Sequence, residues 1–274
     1  MSNPEPAFQR ARRPEHKQQR YDSILVAAHK LGLRDGVRAV SLTDIAAEVG
    51  LHKSAVLRYF GTREEIYLRL TAEGWRDWAQ AVHAEIGEEG PVSADRLAAA
   101  LAGTLADRPL FCELLAHAPL NLERHVSEEA VHAFKLTAVA MADDLGSLAA
   151  RVVPGLSQAD GRDLMAAVTA LAASLWQYSH PPAVLAGLYA TDSRLAHAAM
   201  DFIPRLEHLT RAVVLGLTSV AAPARLSGRT DGRPAWRRAG RRNLASLRRR
   251  GRRFGYAGFA GECTGCPGDA RSAQ

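Results

Sequence analysis

The residues best placed to do chemistry in this chain of 274 residues are basic, small or phenolic, and they lie close together. His52, Lys53, Ser54 and Ala55 are followed by Arg58 and Tyr59, with Thr43 upstream and Arg63 just beyond. Donors and small side chains in one short stretch suit contact with phosphate oxygens and base edges rather than bond making. Catalytic patterns are missing: there is no G-x-S-x-G, H-E-x-x-H or G-x-x-x-x-G-K-[ST], and no strand–glycine loop–helix unit. Glu129-Ala-Val-His132 has the spacing of a helical di-metal site but occurs once, and such sites need two copies. Cys263-Thr-Gly-Cys266 is half of a zinc knuckle without the other half. No enzyme activity, metal or cofactor is expected.

Helical periodicity supplies the elements that must hold these residues. Tyr21, Ile24, Leu25, Ala28 and Leu31 form one apolar stripe and predict a helix from about Glu15 to Leu31. Gly32 and Gly36 supply its stop and turn. Thr43 or Ser41 can cap a second helix bearing Leu42, Ile45, Ala46 and Val49, which must end at Gly50. A third helix follows over Lys53–Phe60, and Thr62-Arg63-Glu64-Glu65 is a capping box opening a long fourth. Short helix, glycine turn, short helix is the outline of a helix-turn-helix, which lays its second helix in the major groove. The same spacing also fits an ordinary helical hairpin in a bundle.

Composition agrees with a helical fold. The chain holds 50 Ala and 33 Leu against 17 Val and 5 Ile, a bias toward helix formers and away from sheet. An odd set of 3 Cys excludes a disulfide scaffold and fits a reducing, cytoplasmic setting. The N-terminus has basic residues without an apolar run behind them, so no signal peptide is expected. Leu164–Thr191 carries no charge, but Gln177, His180 and Pro181-Pro182 interrupt it, so a buried helix is expected rather than a membrane span.

Charge divides the chain. Residues 1–70 hold 12 basic and 8 acidic residues, 71–220 hold 10 and 18, and 221–274 hold 13 and 3. A basic head on an acidic body suits a polyanion partner for the head. The last segment, rich in Arg and Gly, is expected to be disordered. It reads either as a dispensable extension or as a non-specific nucleic-acid contact.

Thr43-Asp44-Ile45-Ala46, Val49-Gly50-Leu51, Lys53-Ser54, Tyr59-Phe60 and Arg63-Glu64-Glu65 together resemble the TetR family of transcriptional regulators. The resemblance implies an all-α fold: a flexible arm (1–14), a DNA-binding domain (15–66, with its motif at 41–60), a helical effector-binding and dimerisation domain (67–220) and the tail. It implies a ligand-released repressor that binds a palindromic double-stranded DNA operator. His52 stands where the family has Ser, Leu57 where it often has a phosphate-contacting Tyr, and Arg63 where Lys is common. The DNA-contacting set is therefore Thr43, His52, Lys53, Ser54, Ala55, Arg58, Tyr59 and Arg63.

After Trp78, turn signals separate helices near 93–107, 109–117, 127–152, 157–179, 182–190 and 193–219. Leu164–Trp176 and Ala212–Leu217 are apolar on more than one side and must be covered there, by their own subunit or by a second chain. The resemblance favours a homodimer through helices 157–179 and 193–219. A small-molecule effector would sit between helices, with Trp75, Phe111, His117, Phe134, Met141, Trp176 and Tyr178 as candidate lining. A protein that coats nucleic acid through its basic tail is the competing function.

Overall fold

The structure is a computed structural model describing residues 12–87 and 90–219, and every regular element among them is helical. Of the expected flexible arm (1–14), residues 1–11 lie outside the described residues, as do the basic tail, Cys263 and Cys266, whereas residues 12–14 already belong to the first helix. The head is α1 (Arg12–Asp35), α2 (Leu42–Glu48) and α3 (Lys53–Val56). Helix α4 (Arg63–Ile86) leaves the head and enters the body, made of α5 (Ala94–Ala106), α6 (Pro109–His117), α7 (Glu128–Val152), α8 (Gln158–Ser179), α9 (Ala183–Thr191) and α10 (Phe202–Ser219). A π-helical turn, Ala118–Leu122, follows α6.

The head folds as its stripes require. Ile24, Leu25, Ala28 and Leu31 of α1 are buried against Ile45, Ala46, Val56 and Phe60. Ser41, not Thr43, caps α2: its Oγ accepts from the Asp44 amide at 3.2 Å, and its own amide donates to the Asp44 carboxylate at 2.8 Å. Gly50 takes φ = 72°, a left-handed conformation that glycine adopts without strain. The turn closes with Gly50 N–H donating to Ala47 O and Leu51 N–H to Ala46 O, the paired bonds of a Schellman stop. Half-buried Leu51 then packs on the core, so the turn that aims α3 is fixed at both ends.

Trp78 anchors the body. It is fully buried, its indole N–H donates to Thr104 Oγ1 of α5 at 3.0 Å, and Trp75 and Phe111 pack around it. Burying three such rings accounts for much of the apolar area that holds α4, α5 and α6 together. Cys112 lies in the same core, donates to Leu105 O, and burial pushes its thiol up to about 12. The uncharged stretch from Leu164 divides into α8 and α9 at Ser179–Pro182, and among the described residues no helix is long and apolar enough to cross a membrane.

The last helix begins later than its periodicity predicts. The expected span of 193–219 contracts to Phe202–Ser219, preceded by a short 3-10 turn at Ala196–Ala198. Asp192 accepts from the Arg194 amide at 2.9 Å and ion-pairs with its guanidinium, which ends α9 in a local turn. Pro204 then falls in the first turn of α10, where a missing N–H costs nothing.

Three ties hold the head to the body. Arg63, at the start of α4, donates to Val37 O and Val40 O at 3.2 and 2.9 Å, pinning the loop between α1 and α2. Glu113 of α6 accepts from the Val37 amide at 2.7 Å. Glu65 accepts from the Gly61 amide at 2.7 Å and from the Ser127 amide, at the start of α7, at 3.1 Å. Thr62 caps α4 as expected, but the Glu65 carboxylate reaches past it to join the turn after α3 to α7. Burial pushes the Glu65 carboxyl up, but the amides of Ser127 and Gly61 outweigh this and hold it below its ordinary value.

Two outcomes follow from this packing. Helices α7 and α8 touch backbone to backbone at Gly146 and Gly161, where a Cβ on Gly146 would lie 2.9 Å from the Gly161 carbonyl carbon. Gly161→Ala should lower stability by about 1–3 kcal/mol through overpacking, against a helix-propensity gain of about 1 kcal/mol, read as the shift in denaturant midpoint. Glu65→Gln should cost about 1 kcal/mol at neutral pH. Because the folded-state value of Glu65 is depressed, its contribution is complete above the unfolded carboxylate range and is lost as pH falls through the folded value. The stability gap between wild type and Glu65→Gln, measured across acid pH, should therefore close on acidification; a constant gap would contradict the tie.

Candidate nucleic-acid interface

The residues singled out around α3 separate into two groups. His52 is the N-cap of α3 and makes no side-chain capping bond; it is exposed, as are Lys53, Ser54 and Arg58. Ala55 is half-buried on the same short helix, and Thr43 is exposed on α2. Backbone bonds continue the turn through Phe60, so Arg58 stays on the ordered rim of the helix. Lys53 and Arg58 form no ion pair and no side-chain hydrogen bond among the described residues. By contrast, Lys30 ion-pairs with Glu48 at 2.5 Å and Arg34 with Asp35 at 2.7 Å.

Tyr59 and Arg63 belong to the second group. Arg63 turns inward onto Val37 O and Val40 O, pairs with Glu64 at 3.2 Å and lies over the Tyr67 ring. Its guanidinium positions the head instead of facing outward, because two loop carbonyls would otherwise lack donors. Tyr59 is half-buried and borders a cleft beside Phe60. Exposed Leu57 holds the place where the resemblance leads one to look for a phosphate-contacting Tyr, and its side chain has no donor to offer. The arrangement thus presents two uncommitted cations beside small side chains on an exposed face, a donor array suited to a polyanion.

The seven residues proposed to line an effector site are not gathered in either of the two clefts that border Phe134 and Phe111. Trp75 and Phe111 are core, in edge-to-face contact at 5.7 Å. His117 is buried 3.8 Å from Glu113. Burial holds His117 below its ordinary pKa, with Arg38 and Arg63 adding to this, and burial pushes Glu113 up. Met141 is half-buried at the core margin. Trp176 stacks on His180 at 3.9 Å and meets Phe202 edge-on, whereas Tyr178 is exposed. Phe134 borders a cleft of about 410 Å³ between α1, α4 and α7, and Phe111 borders one of about 330 Å³ between α1, α4 and α6. Residue type picked out aromatics but could not say which would meet. Missed altogether were Arg76 and Thr137, which face each other across the first cleft; Arg76 continues the α4 face that carries Glu65, Arg69 and Ala72.

Comparison with known proteins fits this architecture. The N-terminal profile of the tetR family of bacterial regulatory proteins matches residues 24–70, and the tetracyclin repressor-like C-terminal domain profile matches residues 72–221. Among solved structures, the multidrug binding protein EbrR, complexed with imidazole, is 19% identical, with 75% of this chain and 97% of that chain covered and a TM-score of 0.50. Thermus thermophilus FadR, a TetR family transcriptional repressor in complex with lauroyl-CoA, is 17% identical over 74% of this chain and 98% of its own, with a TM-score of 0.48. The fatty acid degradation regulator FadR from Bacillus halodurans is 13% identical over 70% and 94%, with a TM-score of 0.44. No curated protein sequence matches. At 19% identity the likeness to EbrR speaks for fold alone, and the two profiles, which together span most of the chain, speak for family. The chain belongs to the TetR family of bacterial regulatory proteins.

Proposed function

We propose that this regulator binds a palindromic DNA operator as a homodimer and is released from it by a small-molecule ligand. The observation that carries the reading is the pair of uncommitted cations, Lys53 and Arg58, on the exposed side of a short helix whose entry and exit are both fixed. His52, Ser54 and Ala55 face base edges, Thr43 approaches the backbone from α2, and Lys53 and Arg58 contact phosphates. Tyr59 and Arg63 hold α3 in place.

One short helix reads too few bases for a unique site, so a second copy is needed about 34–36 Å away. The supporting feature is an exposed stripe of small and apolar residues on the late helices: Ala166 and Ala170 on α8, and Ala212, Leu215 and Gly216 on α10. Small residues let two helix pairs approach closely and bury area that one subunit leaves in water. Ligand binding then favours a body conformation in which the two heads are wrongly spaced. A coupling of about 1–3 kcal/mol would weaken operator binding roughly five- to 150-fold, and operator would weaken ligand equally.

Selection of bound DNA from a random pool by the purified chain should enrich a palindrome with half-site centres about one helical turn apart. Uniform recovery, lost on deleting residues 221–274, would favour coating by the basic tail instead. Arg58→Ala should weaken binding to all sequences and reduce the salt slope by about one, which a titration across salt concentrations reads. Ala170→Arg places a charge on the exposed α8 stripe and should give monomers in sedimentation that no longer select the palindrome.

A further inference from the structure

The cleft bounded by α1, α4 and α7 has a polarity that the ties described above leave unexplained. Helices α4 and α7 run side by side in the same direction, with Glu65 meeting Ser127, Arg76 meeting Thr137 and His83 meeting Asp144 at nearly constant offsets of 62, 61 and 61 residues. At its head end stand Tyr21 and Phe60, stacked at 4.6 Å. Leu68, Ala72, Ala133 and Phe134 line its length. From Glu65 to Arg76 the helix rises about 16 Å, so the space is elongated rather than round.

The charges in it are unequal in what they have already satisfied. Glu65 accepts two backbone amides, and Arg69 is paired with Glu73 at 3.1 Å. Glu129 is exposed at the mouth. Arg76 is half-buried and has only neutral oxygens: Thr137 Oγ1 at 3.0 Å and Ala72 O at 3.5 Å. Among the described residues it has no carboxylate partner. A cation partly withdrawn from water beside an apolar slot gains more from an incoming anion than a surface cation does.

We propose that this cleft binds an apolar monocarboxylate, with its carboxylate accepting from the Arg76 guanidinium beside Thr137, whose own hydroxyl donates to Ala133 O, and its chain or ring lying toward Phe60. Tyr21, Tyr59 and Phe60 belong to the head, whereas Arg76, Phe134 and Thr137 are carried by helices of the body. An occupant therefore touches both sides of the Glu65 tie and sets the angle at which α3 leaves the body. Its effect on DNA rests on the operator-binding reading above; its binding does not.

The test titrates the full chain by calorimetry with decanoate and with 2-naphthoate, using decylammonium as the cationic comparator. The expected result is saturable binding of at least one carboxylate at one per chain, with decylammonium bound far more weakly. Arg76→Ala should weaken that binding about tenfold or more. Ala133→Trp, which fills the cleft from an exposed position on α7, should abolish it while thermal unfolding stays near that of wild type. Bound carboxylate should also change the affinity for the selected operator in wild type and not in Arg76→Ala. Absence of saturable binding by both carboxylates, or binding that neither substitution alters, overturns the site. Binding that leaves operator affinity unchanged overturns the control step. Failure to select any operator without ligand would count against the DNA reading, and the calorimetry would still decide the cleft.

Discussion

The arrangement depends on how a few backbone groups between head and body find partners. The loop from Gly36 to Val40 offers two carbonyls and an amide that no helix satisfies; Arg63 and Glu113 supply what is missing. Glu65 does the same for Gly61 and Ser127. Leaving such groups unpaired away from water costs about as much as a lost hydrogen bond, so the head adopts the orientation that pairs them. Each tie joins chain segments far apart in sequence; burial pushes the Glu113 carboxyl up, while backbone amides hold that of Glu65 below its ordinary value. Orientation of α3 is thus a property of three side chains on α4 and α6 as much as of α3 itself.

Much of the head and body was legible because helices bury stripes. Ile24, Leu25, Ala28 and Leu31 fell on one face by spacing alone and lie in the core, and Gly50 ended α2 through a conformation other residues resist. Pro109 stands in the first turn of α6, and Ser127 and Ser157 cap α7 and α8. What failed had non-local or competing causes. The turn at Asp192–Arg194 outweighed a helical pattern that otherwise ran unbroken to Ser219. Arg63 looked like a phosphate ligand because its charge is visible in sequence, while the two carbonyls it serves are set by the fold. The capping role of Glu65 was half readable: Thr62 lies three residues away, but Ser127 lies 62 away and no local pattern encodes it. The dispersal of Trp75, His117, Trp176 and Tyr178 has the same origin, since aromatic character predicts burial without naming neighbours.

The body divides its apolar residues between two purposes. Trp78, Leu101, Leu105, Leu145 and Leu164 are fully buried in the core. Ala166, Ala170, Leu215 and Gly216 remain outside, and α9 buries none of its residues despite Val184, Leu185 and Leu188. Surface of that kind is uncommon on an isolated subunit and coherent on one that pairs with a copy of itself. Elsewhere, the cleft beside α4 and α7 keeps an arginine among neutral oxygens. The exposed apolar stripe on α8 and α10, the cleft beside α1, α4 and α7, and α3 therefore lie on different elements of the fold.

Helix α4 spans 24 residues without interruption, which makes it a lever about 36 Å long. Tilting such a rod by about 5° about one end carries the other through about 3 Å, close to the 3.4 Å between successive base pairs. Two rods tilting in opposite senses about a twofold axis would double the displacement. In the proposed dimer, so small a tilt would be enough to move two reading heads out of step with the grooves.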